Sequence, residues 1–75
     1  MNEIVIETEY VTLGQFLKMT DVISSGGQAK WYLAENEILV NDEVENRRGR
    51  KLRHSDIIDV PEVGRFILKD PFIEE

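Results

Sequence analysis

The apolar positions change period along the chain, and each change marks a boundary between elements. Residues 3 to 11 alternate only loosely, but Ile4, Val5, Ile6, Tyr10 and Val11 favour strands and no helix breaker interrupts them, which predicts a first strand. From Leu13 the spacing becomes helical. Leu13, Phe16 and Leu17 fall at i, i+3 and i+4, and Val22 and Ile23 close that segment. Thr12 with Gln15 three positions on is the spacing at which a cap hydroxyl and a glutamine satisfy each other's free amides, so the helix starts there. The same spacing recurs at Ser25 and Gln28 and opens a second helix over Gln-Ala-Lys-Trp-Tyr-Leu-Ala-Glu, residues 28–35. Ala29, Tyr32 and Leu33 share one face of it, and the small Ala29 lets the first helix approach closely. Asn36 is placed as a left-handed helix stop.

Beyond Asn36 the period is that of strands. Ile38 to Val40 and Glu43 to Glu45 flank Asn41-Asp42, a pair suited to the positive φ angles of a two-residue hairpin. Asp56 to Val60 reads as a strand ended by Pro61, with Asp56 capping the turn before it, and Gly64 allows a turn into a last strand, Arg65 to Leu68. The pattern predicts an α+β fold: two packed N-terminal helices, then a hairpin and a small, mostly antiparallel sheet with added N- and C-terminal strands. Linkers, repeats and low-complexity tracts are absent from the sequence, and 75 residues suit one domain, 1–75.

Composition narrows the chemistry. The chain has no Cys and a lone His54, which removes disulfides, thiolate sites and thiol nucleophiles and leaves no basis for a metal cluster or other cofactor. No apolar run reaches the roughly 20 residues of a membrane span, and the first ten residues lack the basic start and apolar block of a signal peptide, so a cytoplasmic protein without a membrane partner is expected. The net charge of −6 argues against indiscriminate coating of nucleic acid. The charges are unevenly placed, however. Glu3, Glu7 and Glu9 gather near one end and Glu74 and Glu75 at the other, whereas residues 47–53, Arg-Arg-Gly-Arg-Lys-Leu-Arg, put five cations into seven positions.

These residues resemble the S4 RNA-binding domain over about residues 12 to 60. The family pattern sets a Ser before its second helix, then an Ala and a large aliphatic at intervals of four, matched by Ser25, Ala29 and Leu33. Its Gly-x-Val-x-Val-Asn-Gly falls on Asn36, Ile38, Val40, Asn41 and Asp42, and its Gly-Asp-x-Ile on Ser55, Asp56 and Ile58. The Arg usual after that Ser is Gly26 here, and Lys30, one turn on, is placed to replace it. The Arg-Arg-Gly-x-Lys segment of short bacterial members is matched by Arg47, Arg48, Gly49 and Lys51. The resemblance implies an S4-like fold (an αL motif) and binding of structured RNA, above all ribosomal RNA or a ribosomal particle, in ribosome assembly or function.

Physical chemistry points the same way. Guanidinium forks take phosphate oxygens bidentately and stack on bases, and five like charges in seven residues repel one another unless an anion receives them. The candidate RNA-binding residues are Ser25, Gly26, Gln28 and Lys30 at the start of helix two and Arg47, Arg48, Gly49, Arg50, Lys51 and Arg53 in the loop, working in a monomer without a small-molecule substrate. The competing readings are a solvated loop whose cations pair with Glu35, Glu43 and Glu45, and an adaptor that meets an acidic protein surface. Trp31 lies about 200° around its helix from Ala29, either as a stacking platform or, as a small chain's need for buried area favours, covered by the terminal strands. Tyr32 and Phe66 are read as core. His54, Ser55 and Asp56 have the residue types of a nucleophilic triad, but neighbours on a strand point to opposite faces, and Gly26-Gly27 falls far short of a phosphate cradle, so no catalysis is expected.

Overall fold

The computed structural model describes residues 1–73; the acidic pair Glu74 and Glu75 lies outside them. The elements run β1 (Asn2–Val5), β2 (Val11–Thr12), α1 (Leu13–Met19), a 3₁₀ turn (Gly26–Gln28), α2 (Ala29–Glu35), β3 (Ile38–Val40), β4 (Glu43–Glu45), β5 (Lys51–Leu52), β6 (Ile57–Val60) and β7 (Gly64–Lys69). Two helices and a mostly antiparallel sheet make an α+β molecule, as the hydrophobic pattern predicts. The main sheet has the order β1-β7-β6-β3-β4. Among the described residues only β1 pairs in parallel, with Asn2 opposite Phe66 and Val5 opposite Lys69. A second ribbon joins β2 to β5, with Val11 opposite Leu52 and Thr12 opposite Lys51.

The first strand expected over residues 3 to 11 is therefore two strands in two different sheets. A bend at Glu7 to Glu9 separates them, and the Thr8 hydroxyl donates to the Tyr10 carbonyl at 2.8 Å within it. The physical reason lies in the acidic run, which has no apolar side chain to bury between Ile6 and Tyr10. Helix α1 is capped as its sequence indicates: the Gln15 amide donates to Thr12 Oγ1 at 3.2 Å and the Thr12 amide to Gln15 Oε1 at 2.9 Å. Val22 and Ile23 lie beyond its end at Met19, with Ile23 buried in the core.

Asn36 departs from its expected left-handed conformation. It is extended, at φ −132° and ψ 134°, because β3 starts two residues later and the chain must already run straight. It still ends the helix, since its backbone N–H and its Nδ2 both donate to the Tyr32 carbonyl, at 2.9 and 3.0 Å. Positive φ falls instead on Asn41 (52°) and Asp42 (68°), which turn β3 into β4. Asn41 also fixes the start of β6: its amide donates to the Ile57 carbonyl, and its side chain accepts from the Ile57 amide and donates to Asp56 Oδ1.

One apolar cluster joins both helices to the inner face of the sheet, with Leu13, Phe16 and Leu17 of α1 fully buried against Ile38, Ile58, Leu68 and Leu52. Each such side chain contributes about 1.5–3 kcal/mol through removal from water. Phe16 meets Phe66 edge to face, with centroids 5.4 Å apart. Phe66 is thus core, and Tyr32 packs half-buried against the same cluster.

Candidate nucleic-acid interface

The basic segment starts in the connection from β4 to β5 and runs through β5 to Arg53, and its anchoring to α1 uses backbone atoms alone. The first amides of α1 have no partner within the helix. Here the loop supplies them: the Leu13 N–H donates to the Arg50 carbonyl at 2.8 Å and the Gly14 N–H to the Arg48 carbonyl at 2.9 Å. A Cβ at Gly14 would sit 3.4 Å from the Arg48 carbonyl oxygen and 3.6 Å from Ala29 Cβ, so the seam has room for a methyl there but little more. An Arg50 N–H to Arg47 carbonyl bond of 3.1 Å closes the turn over Arg48 and Gly49. On the far side, Asp56 Oδ2 accepts from the Arg53 amide at 2.8 Å.

The five cations are not equivalent. Glu45 faces inward from the edge strand β4, opposite the buried Ile38, and its side chain is only 7% exposed. Its carboxylate receives Arg47 Nε and Nη2 and Arg50 Nη1, each at 2.9 Å, and the Arg47 amide at 3.1 Å. The Arg47 hydrogen bonds, with those of Arg50, outweigh the burial that opposes ionisation and hold the Glu45 carboxyl at about 2. The pairing of loop cations with Glu45 is thus real, and it fixes two arginines while neutralising one charge. Arg48, Lys51 and Arg53 remain exposed.

Two concavities meet at Gly49. One, of about 380 Å³, is lined by Arg47, Gly49, Arg50, Lys51 and Arg53. The other, of about 400 Å³, brings Arg48 and Gly49 together with Thr12, Gly14, Gly26 and Ala29, so the entry to α2 and the loop share a surface. A Cβ at Gly26 or Gly49 would meet nothing within 4 Å. Ser25, Gln28 and Lys30 are exposed but line neither concavity. Gln28 serves the local chain, since its Oε1 accepts from the Ser24 and Ser25 amides at 2.6 and 3.2 Å and from the Ser24 hydroxyl at 2.9 Å.

Trp31 is 68% exposed, against the expectation that the terminal strands cover it. β1 spends its length pairing with β7, and the core closes around Phe16 and Phe66 without the indole. Tyr10, not singled out by its sequence context, stands at the loop: Lys51 Nζ lies 5.0 Å and Arg53 Cζ 5.6 Å from its ring centroid. The signal that could have found it is its place one residue before the strand that pairs with Lys51-Leu52. His54 Nδ1 accepts from the Asp70 amide at 2.9 Å, and Ser55, at φ 71°, occupies a turn, so the three residues 54–56 serve local structure. Among the described residues, no group of three or more His, Cys, Asp or Glu could hold a metal ion, and no helix is long and apolar enough to cross a membrane.

A cation loop locked to a helix start, over two helices and a mostly antiparallel sheet, defines the class of small S4-type modules. The chain belongs to the S4 domain family, whose model matches residues 4–67 and so extends past the motif at 12–60 into β1 and β7. It is similar to the Bacillus subtilis (strain 168) protein named "Probable ribosome maturation protein RlbA", with 60% identity over 65 residues that cover 87% of this chain and 92% of that protein.

Proposed function

We propose that this chain is a non-catalytic RNA-binding protein that docks on structured ribosomal RNA or a ribosomal particle in the cytoplasm and acts, as one domain and a monomer, in ribosome maturation. The observation that carries the reading is the loop of residues 47–53, which concentrates cations in a protein of net charge −6 and is anchored by backbone bonds to α1. Anchoring lowers the conformational entropy lost on binding, so the cations act as a preformed phosphate receptor. The family membership and the name of the Bacillus subtilis relative support the ribosomal setting.

Arg48, Lys51 and Arg53 take phosphates directly, and Arg47 and Arg50, held by Glu45, present their remaining donors at the same rim. Gly26 and Gly49 let the RNA backbone approach, Ser25 and Gln28 shape the entry to α2, and Lys30 adds a peripheral charge. The test is binding of ribosomal RNA by fluorescence anisotropy, with co-sedimentation on ribosomal particles. Replacing Arg48, Lys51 and Arg53 by Glu lowers RNA affinity by more than tenfold and the melting temperature only slightly, because none of the three holds an ion pair with Glu45 and the contacts of Lys51 and Arg53 with the Tyr10 ring are worth about 0.5–1 kcal/mol each. Unchanged RNA affinity in that variant overturns the reading and leaves the loop to an acidic protein surface.

A further inference from the structure

We propose that the groove beside Tyr10 receives one unpaired nucleobase of the RNA whose phosphates lie on the basic loop, with the Tyr10 ring as its stacking partner. This inference rests on the RNA reading above and adds to it the class of RNA element recognised: one with an unstacked base, as distinct from a continuous duplex.

The groove measures about 500 Å³ and is lined by Thr8, Tyr10, Val11, Gln15, Lys18 and Met19. That volume falls within the range of sites that hold small ligands. Its wall is of the kind that a base requires. An aromatic ring, 39% exposed, and the thioether of Met19, also exposed, give a flat and polarisable surface, while Gln15 and Lys18 offer polar atoms at the edge. No carboxylate is among the described lining residues.

Continuity with the loop decides the occupant. Lys51 and Arg53 line the basic concavity and also lie over the ring of Tyr10, a residue of the groove wall, so the phosphate receptor and the groove adjoin at that ring. The ribbon register explains the contact. Val11 pairs with Leu52, which sets Tyr10 level with Arg53, and the bend fixed by Thr8 holds that register. A nucleotide with its phosphate on Lys51 or Arg53 therefore has its base within reach of the groove. With Lys18 among the lining residues and two more cations against the ring, the charge suits a polyanion that carries flat heterocycles better than an apolar peptide.

The experiment uses two labelled RNA probes of equal length, a fully paired duplex and a single-stranded oligoadenylate with one 2-aminopurine. The wild type binds both, and 2-aminopurine fluorescence is quenched on binding. Tyr10→Leu keeps the apolar body but loses the ring; it weakens the single strand about tenfold, within the range of one base–aromatic stack, and abolishes the quenching, while duplex affinity changes far less because only the ring's contact with Lys51 and Arg53 is lost there. Tyr10→Phe restores both affinity and quenching. If the wild type binds both probes but Tyr10→Leu affects them equally or not at all, the stacking site is overturned while the RNA reading stands. If the wild type binds ribosomal RNA but neither probe, the stacking site is overturned and the RNA reading stands; if it binds none of the three, both are overturned.

Discussion

Glu45 joins stability to function at the level of one carboxylate. An acid facing inward from an edge strand discourages pairing with another sheet, but it must be compensated, and Arg47 and Arg50 do so. Its folded pKa of about 2 lies below the ordinary 4.5, so the folded state favours the ionised form. The resulting stability is fully present above pH 4.5 and is lost as pH falls from there towards 2. Glu45→Gln therefore costs about 1–2 kcal/mol at neutral pH, a figure below full linkage because the water-exposed Arg47 weakens the pairing. Urea denaturation across pH shows the two proteins converging as pH approaches 2; a constant gap would assign Glu45 a packing role instead.

At the scale of elements, the seam between the loop and the start of α1 carries the site. Gly14→Ala places a methyl at 3.4 Å from the Arg48 carbonyl oxygen, an ordinary contact, and leaves stability nearly unchanged. Gly14→Val pushes branched carbons against both the Arg48 backbone and Ala29 and costs about 1–3 kcal/mol by overpacking. Calorimetry measures that loss, and RNA affinity falls with it because the loop is displaced; a Val variant as stable as the wild type would remove the seam from the account. The sequence made the ends of this seam legible but not the seam itself. The Thr12–Gln15 cap and the Asn41-Asp42 turn are readable because each interaction closes within a few residues. The loop-to-helix bonds span more than thirty residues and use backbone atoms that every sequence has, so no residue type announces them. The parallel addition of β1 to β7 joins the two ends of the described chain for the same reason. Asn36 failed as a left-handed stop because the register of the following strand outweighed its local preference, and Trp31 stayed exposed because the inner face was already filled.

Over the whole molecule, the question is how a chain with 15 acids and 9 bases attracts a polyanion. Its longest dimension is 36 Å, several Debye lengths at physiological salt, where that length is about 8 Å. Under those conditions an approaching phosphate senses the nearby loop more than the total charge. Glu45 cancels one of the five loop cations, so about four remain to release counterions, and the plot of log affinity against log salt has a slope of about −2.8 to −3.6. Dilution of salt reverses the balance. At about 0.01 M the Debye length grows to about 30 Å, comparable to the molecule, and the field of the full −6 reaches the RNA. The plot should therefore be linear near physiological salt and flatten at the lowest concentrations, where a uniformly basic protein would keep strengthening. Anisotropy titrations between about 0.01 and 0.3 M salt measure this curve directly. A straight line throughout would mean that the acids remain screened from the RNA by their placement, whereas a slope near zero at all concentrations would show that phosphate neutralisation is not how this loop binds.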